Sequence, residues 1–568
     1  MRNLSMKIYL LLFLLLFQFS KAQYNLPKDY FQSPLDVPLV ISGTFGELRS
    51  NHFHAGLDIK TRGVEGLKVF ASAKGYVSRI KIQHYGYGKA LYITHPNGYQ
   101  TVYAHLKKFS PEIEAYVKAY QYDKESYEVQ LFPPADKLPV KAGEVVAYSG
   151  NTGSSGGAHL HFEIRDAQAR PMNPFLFGFD DVKDTRPPRI KNIYAFTASE
   201  GAHVNHKSGR VKLKPIKTKN GNLKVPEIEA SGDIYFGIEA YDQLDLAFNK
   251  NGYYDIQAKL NGLPFFETTF NRFAFNETRF LNRLIDYGYY LEYKKRIHKL
   301  RSHDYRRLEI NHSQINNGIL NINDTLNYKY DLKVSDFKGN STEVTIPIKY
   351  VPGINVERDT INKTLYYVSH DNAFALDKGL VDIYIPKHAL YEDTYLDIEV
   401  EGESVKLHDY RTPIHKGITI GFDVSHYNEE DKKQLFIGRK MPWGDIYYNN
   451  TTKKRNRFTT GVKVFGEYIL AKDEESPTIT PLNFRNKQWL SNFRYLKVKI
   501  EDDLTGVGSY RATVNGKFIL MEYDYKTNTL VHDFNDGVVT ETENNFKLVV
   551  TDQVGNTSIF ETTFFRKN

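Results

Sequence analysis

Residues 150–165 read Gly-Asn-Thr-Gly-Ser-Ser-Gly-Gly-Ala-His-Leu-His-Phe-Glu-Ile-Arg, running from Gly150 to Arg165. Within this stretch Leu160, Phe162 and Ile164 alternate with His159, His161 and Glu163, the period of a β-strand with one apolar face. Both imidazoles therefore stand on one side of the strand, above a core made by the other side. Working outward, Lys89 to Thr94, the tetrapeptide His95-Pro96-Asn97-Gly98, and Tyr99 to Leu106 read as a hairpin, with Asn-Gly supplying the turn. From Gly43 to about Asn173 the chain continues in this manner, as short alternating strands between glycine turns. There is one interruption. Ser110-Pro111 starts a helix in which Ile113, Tyr116, Val117 and Tyr120 follow helical spacing, and Pro133-Pro134 closes the excursion.

The rest of the chain is β-rich too. Its 41 tyrosines and 36 phenylalanines, with abundant Val, Ile and Thr, favour half-buried pleated surfaces, and 568 residues exceed what one core serves. Two later segments are related. Gly237-Ile-Glu-Ala-Tyr-Asp242, Tyr254 to Gly262 and Val334-Ser-Asp-Phe-Lys-Gly-Asn340 match Val498-Lys-Ile-Glu-Asp-Asp503, Tyr510 to Gly516 and Val550-Thr-Asp-Gln-Val-Gly-Asn556, and each set opens after a proline-bearing link. Two copies of one β-sandwich type follow from this. The expected fold is mainly β: an antiparallel β-sheet domain over 23–180, with an insertion at about 107–138, then three β-sandwich-like, immunoglobulin-like domains over 181–350, 351–473 and 474–568.

The first 22 residues predict an export signal. Arg2 and Lys7 precede the apolar run Ile8–Phe17, and Ser20-Lys21-Ala22 offers small residues for cleavage before Gln23. The run is shorter than the roughly 20 residues of a spanning helix, and no later stretch is apolar enough to span. The mature protein is expected outside the cytoplasm, periplasmic or extracellular, and not membrane-spanning. With no cysteine there is neither a disulfide nor a lipid-bearing thiol. The formal charge of +8 drops to +5 once Arg2, Lys7 and Lys21 leave. No dense basic stripe with interleaved aromatics argues for nucleic acid, whereas a mild positive excess is compatible with an anionic wall polymer.

The chemistry concentrates in the first domain, where His54-Ala-Gly-Leu-Asp58, Tyr103-Ala-His105 and His159-Leu-His161 occur in order. Zinc catalysis requires neutral imidazoles, often one carboxylate, and a fourth position for water. His54, Asp58 and one of His159 and His161 meet that count, leaving the other histidines to contact substrate as proton acceptor and oxyanion donor. The helical signature HExxH is absent, which disfavours a helical zinc protease.

Gly43-Thr-Phe-Gly46, His54-Ala-Gly-Leu-Asp58, Tyr103-Ala-His-Leu106 and the Gly150–Arg165 stretch together resemble the lysostaphin-type (LytM-like) zinc endopeptidases. The resemblance covers Gly43 to about Asn173. It implies His54, Asp58 and His161 as ligands of one Zn2+, His105 and His159 as the catalytic pair, and peptidoglycan peptides as substrate. All five positions are filled, as an active member requires. The insertion after His105 departs from the family's short loop, so its helix is expected either to line or cover the groove or to decorate the surface. Among neighbouring residues, Glu163 reads as solvent-facing or salt-bridged rather than supporting a ligand. His52 has no carboxylate at a spacing that would make it a ligand, His84 and His95 near turns read as ordinary surface histidines, and Tyr103 as a packed tyrosine. The alternative function is a non-catalytic or autoinhibited wall-binding or regulatory protein acting through its β domains.

Overall fold

A computed structural model describes residues 26–567 except 180, 220, 304–307 and 354–362. The export signal at 1–22 lies outside the described residues.

The N-terminal unit is built on one antiparallel sheet. Its strands are β1 (Ile41–Gly43), β2 (Leu57–Lys60), β4 (Gly75–Ile82), β5 (Lys89–Thr94), β6 (Gln100–Ala104), β8 (Val129–Leu131), β9 (Pro139–Val140), β11 (His159–Arg165) and β12 (Pro171–Met172). They lie in the order β1-β2-β11-β6-β5-β4-β8, with β12 on β11 and β9 on β4. A second sheet joins β3 (Lys68–Phe70), β10 (Val145–Tyr148) and β7 (Lys108–Phe109). Leu160, Phe162 and Ile164 are fully buried in the core with Leu57, Ile59, Leu91, Ile93 and Tyr103, so the alternation in β11 sets which face carries the histidines. The hairpin β5–β6 forms with Leu91 opposite Tyr103 and Thr94 opposite Gln100, turning at Gly98 in the left-handed region.

The insertion is not a detachable flap. Helix α1 (Pro111–Asp123) sits in the β7–β8 connection and buries Ile113, Val117 and Gln121, while Val129, Leu131 and Leu138 complete the same core. Ser110 occupies the N-cap position, but its hydroxyl makes no capping bond. The exposed side of α1 faces the C-terminal β unit. Lys118 and Tyr122 both bond the Asp536 carboxylate, and Arg511 Nη2 lies 2.6 Å from Glu125 Oε2.

The second unit is organised around the 14-residue strand Ile228–Tyr241. Its C-terminal part pairs antiparallel with Arg189–Thr197, and Ile228 to Ala230 pair in parallel with Ile348 to Tyr350, so a single strand serves both layers. The third unit packs two five-stranded sheets over Val381, Ile383, Phe422 and Ile437. The fourth packs a four-stranded sheet on a five-stranded one over Val498, Leu530, Leu548 and Val550.

Two of these units grip the first. Phe45, Phe53 and Ala55 belong to the core of the second unit, with Phe45 stacked on Phe273 at 5.1 Å between ring centroids. Gly46 has φ +77°, and a Cβ there would strike the ring of Phe270. Only glycine lets the second unit lie so close to the segment that carries His54. From the other side, Leu520 of the fourth unit is buried in the N-terminal core.

Candidate active site

The site forms where β2, β11 and the end of β6 lie side by side. Asp58 is directly opposite His161 in the β2–β11 ladder, and His161 is opposite Ala104, so His105 projects just beyond the β6 pairing. His105 is in the left-handed region at φ 58°, a conformation that costs an L-residue about 1 kcal/mol and turns the chain back where the imidazole is needed.

Three donor atoms converge. His54 Nε2 is 2.9 Å from Asp58 Oδ1, His161 Nδ1 is 2.9 Å from the same oxygen, and the two nitrogens are 3.1 Å apart. Each imidazole is oriented from behind. His54 Nδ1 donates to the Thr44 carbonyl at 2.8 Å, and His161 Nε2 donates to Glu163 Oε1 at 2.9 Å. Both front nitrogens therefore present lone pairs toward the carboxylate, an arrangement of three acceptors that a cation reconciles. The edges are close to the ~3.3 Å expected between tetrahedral zinc ligands at bond lengths near 2.0 Å. His54, Asp58 and His161 thus form a group fit for a metal ion, and two imidazoles with one carboxylate suit zinc.

Electrostatics agrees. Burial alone would raise the Asp58 carboxyl, but His54, together with hydrogen bonds from His159, His161 and His54, holds it well below the carboxylate range. Burial opposes charge on His161, yet Asp58 and Glu163 press its pKa up to about 9, so without metal Nδ1 holds a proton that a bound cation displaces to gain the lone pair. The site is a preformed cation trap.

Two further histidines face it. His105 Nδ1 donates to the Thr152 carbonyl at 2.9 Å and His159 Nδ1 to the Gly157 carbonyl at 2.8 Å, so each Nε2 is turned away from the backbone. His159 Nε2 reaches to 3.4 Å from Asp58 Oδ1, and the His105 and His159 rings lie 4.8 Å apart. Burial first, then the neighbouring His161 and His159, push His105 down to about 3, leaving it a neutral base at physiological pH.

Several supporting residues were not legible in the sequence. Arg49 Nη2 lies 2.9 Å from Asp58 Oδ2 and 2.9 Å from Glu47 Oε2, which leaves Oδ1 as the oxygen facing the histidines. A Cβ on Gly43 would collide with both Asp58 Oδ2 and Arg49 Nη2, which explains the first glycine of Gly43-Thr-Phe-Gly46. The Tyr87 hydroxyl donates to Glu163, and its ring lies 5.1 Å from that of His161. Glu163 itself corrects the sequence reading. It is fully buried, salt-bridged to Arg165 at 2.6 Å, and it is also the carboxylate behind His161. His95 is a second correction: only 3% exposed, it bonds the Lys74 carbonyl and the Thr101 hydroxyl. His84 packs between Tyr127 and Tyr523, at the contact with the fourth unit. His52 is exposed. Tyr103 is packed, its hydroxyl accepting from Ser72 N.

Fold and donor set define a histidine–aspartate–histidine metal centre on an antiparallel sheet, of the kind found in LytM-type metallopeptidases. Residues 52–122 and 134–174 match Peptidase family M23, and zinc is the cofactor the ligand group fits. Residues 365–473 match the Zu5-like domain. Among curated proteins, a DD-carboxypeptidase/endopeptidase Mpg of Neisseria meningitidis serogroup B is 34% identical over 145 residues, covering 24% of this chain and 27% of that protein. An uncharacterized metalloprotease of Haemophilus influenzae is 33% identical over 156 residues, covering 26% of this chain and 27% of that one. The chain thus spans about a quarter of the length of the curated relatives it matches. Among solved structures, a zinc containing peptidase from Vibrio cholerae is 27% identical over 26% of this chain and 39% of that chain, with a TM-score of 0.19. No helix among the described residues is long and apolar enough to cross a membrane.

Proposed function

We propose that the chain is an exported zinc endopeptidase that hydrolyses peptide bonds in peptidoglycan, in stem peptides or cross-links. The observation supporting this is the convergence of three donors, His54 Nε2, Asp58 Oδ1 and His161 Nδ1, under two further imidazoles, each oriented by a carbonyl at Nδ1. When bound, zinc supplies a Lewis acid that polarises the scissile carbonyl and acidifies water to a pKa near 7.

The remaining steps fall to side chains. Asp58 would offer the metal only Oδ1, because Arg49 holds its other oxygen. His105, neutral through burial, accepts the proton of the attacking water at Nε2 and returns it to the amine nitrogen as the C–N bond breaks. His159, the most exposed of the five, has Nδ1 committed to the Gly157 carbonyl, so in its doubly protonated form it donates from Nε2 to the oxygen on which charge develops. Glu163 and Tyr87 hold His161 against rotation, and β11 presents both histidines on its open face. The similarity to a protein named a DD-carboxypeptidase/endopeptidase and the predicted export signal favour peptidoglycan as the polymer cut. The β units that grip the catalytic domain act as its frame.

The test is release of muropeptides from purified peptidoglycan by the mature chain with zinc, with chelator, and with His161→Ala. Zinc-dependent release abolished by the substitution is expected, and the products identify the bond. No release from any wall type by the zinc-loaded chain would favour the binding or autoinhibited alternative.

A further inference from the structure

Each of the two related β units carries three carboxylates where its entering link, the end of a strand and the turn of a hairpin meet. In the second unit Asp184, Asp242 and Asp336 bring one oxygen each within 4.8 Å of one another, and in the fourth Asp473, Asp502 and Asp552 do the same. The scaffolds agree bond by bond. Asn340 Nδ2 donates to Asp336 Oδ2 at 2.8 Å and to the Asp184 carbonyl at 3.2 Å. Asn556 Nδ2 donates to Asp552 Oδ2 at 2.8 Å and to the Asp473 carbonyl at 2.9 Å.

They differ in what remains unmet. In the fourth unit the carboxylates are occupied. Thr505 Oγ1 donates to Asp473 Oδ2, the Thr505 and Gly506 amides to Asp502 Oδ2, and three successive amides, of Val554, Gly555 and Asn556, to Asp552 Oδ1. In the second unit Asp242 Oδ1 is buried with no partner, and neither side-chain atom of Asn251 has one. Asp242 and Asn251 are each only 3% exposed. They exchange both backbone hydrogen bonds across an antiparallel bridge, which puts their side chains on the same face. An orphaned amide and an orphaned carboxylate oxygen thus share one face of this bridge, and the carboxylate is one of the three clustered acids. The arginine of the same link, Arg186, goes to Asp245 instead. Burial first, then neighbouring acids, push Asp242 up to about 8 and Asp184 up to about 6, as expected for carboxylates crowded together out of water.

We propose that Asp184, Asp242, Asp336 and Asn251 form a binding site for a hard divalent cation, calcium, at the seam between the catalytic domain and the second unit. Every donor is oxygen, unlike the imidazole-rich zinc group. Flexible carboxylates with an amide oxygen suit the six to eight ligands of calcium, whereas magnesium demands a tighter octahedron and keeps its waters. The adjacent cavity is lined by Asp184 and Asp242 and by Thr44, Phe45, Asn173 and Phe175 of the catalytic domain. The residue after Asn251 makes the link. The Gly252 amide donates to Thr44 Oγ1 at 3.1 Å and to Glu47 Oε1 at 3.3 Å, and Thr44 holds His54 through its carbonyl. Calcium would therefore stiffen the joint from which the zinc ligand hangs.

The test uses the full chain, stripped with a calcium-selective chelator, its zinc content measured in the same samples. Equilibrium dialysis with calcium should give one ion per chain in the second unit, with Kd of about 10⁻³ M or tighter. Saturation should raise Tm by about 2–5 °C, and magnesium should bind at least tenfold more weakly. Asp242→Asn and Asn251→Ala should each weaken calcium at least tenfold with zinc retained, while Asp502→Asn should leave that binding unchanged. In calcium-free buffer Asp242→Asn should melt no lower than the native chain, because it removes repulsion. No calcium bound at millimolar concentration, undiminished binding in Asp242→Asn, or a lower calcium-free melt of that variant overturns the proposal.

Discussion

The position of Glu163 shows how one buried carboxylate can fix a metal ligand. It accepts from His161 Nε2, Arg165 Nε and the Tyr87 hydroxyl, and Arg165 and His161 hold its pKa at about 2 against burial. Held this way, it sets the His161 tautomer that turns Nδ1 to the front. Carboxylates behind ligating imidazoles are typically worth 10–100-fold in metal affinity. Glu163→Gln keeps the shape but accepts more weakly from His161, so zinc affinity should fall by that factor, read by competition with a chromophoric chelator. An unchanged affinity would show that His161 is oriented without Glu163. The histidines themselves were legible, because alternation in β11 and the His54–Asp58 spacing are local patterns. Arg49, Tyr87 and the carbonyls of Thr44 and Thr152 were not, since what places them is tertiary packing rather than spacing. His95 was misread for a related reason: Pro-Asn-Gly beside it signals an exposed turn, while the Lys74 carbonyl that receives it lies 21 residues away.

At the level of elements, the strand pairings that bring His159 and His161 beside Asp58 and His105 follow from short-range alternation, whereas the role of α1 does not. Its helical spacing predicted the helix, but only the fold shows that Ile113 and Val117 finish the catalytic core and that Lys118 and Tyr122 meet Asp536. Another element buries a titratable group without a charge partner. In the two-residue strand His298–Lys299, paired with Ile228–Tyr241, His298 is 1% exposed. Its Nδ1 lies 2.6 Å from the Tyr253 hydroxyl, its Nε2 has no partner, and burial lowers its pKa to about 3. The unfolded chain takes up this proton near pH 6.5, but the folded chain resists it until about pH 3. Stability from keeping the ring neutral is therefore complete above pH 6.5 and declines as the pH falls from there toward the folded value. Between pH 7 and pH 5 this one group should cost about 2 kcal/mol. His298→Asn, which retains a nitrogen or oxygen toward Tyr253, should flatten that dependence in urea unfolding. An equally steep decline in the variant would assign the acid sensitivity to other groups.

Across the whole molecule, the fourth unit reaches the loop that orients His105. Tyr525 packs against Tyr85 with centroids 4.5 Å apart and the rings tilted by 45°, and donates from its hydroxyl to the Gly153 carbonyl at 3.4 Å. Lys526 Nζ donates to the Asn151 carbonyl at 2.5 Å. Between those anchored residues lies Thr152, whose carbonyl fixes His105 Nδ1, while Glu522 pairs with the buried Lys89 nearby at 2.9 Å. A unit more than 350 residues away in sequence thus clamps both sides of the carbonyl that orients His105. Such a clamp either positions the histidine or restrains the loop, and kinetics separates the two. If it positions, Tyr525→Phe combined with Lys526→Ala lets Thr152 drift, and the proton-accepting geometry degrades while zinc and the substrate groove stay in place. The expected result is a fall in kcat of about tenfold, equivalent to about 1.4 kcal/mol of transition-state stabilisation, with KM and zinc content nearly unchanged. A rise in kcat would instead mean that the fourth unit restrains the enzyme and that release of this contact switches it on. We expect the fall, because the contacts converge on the backbone that holds His105 and leave the His105 and His159 Nε2 atoms untouched.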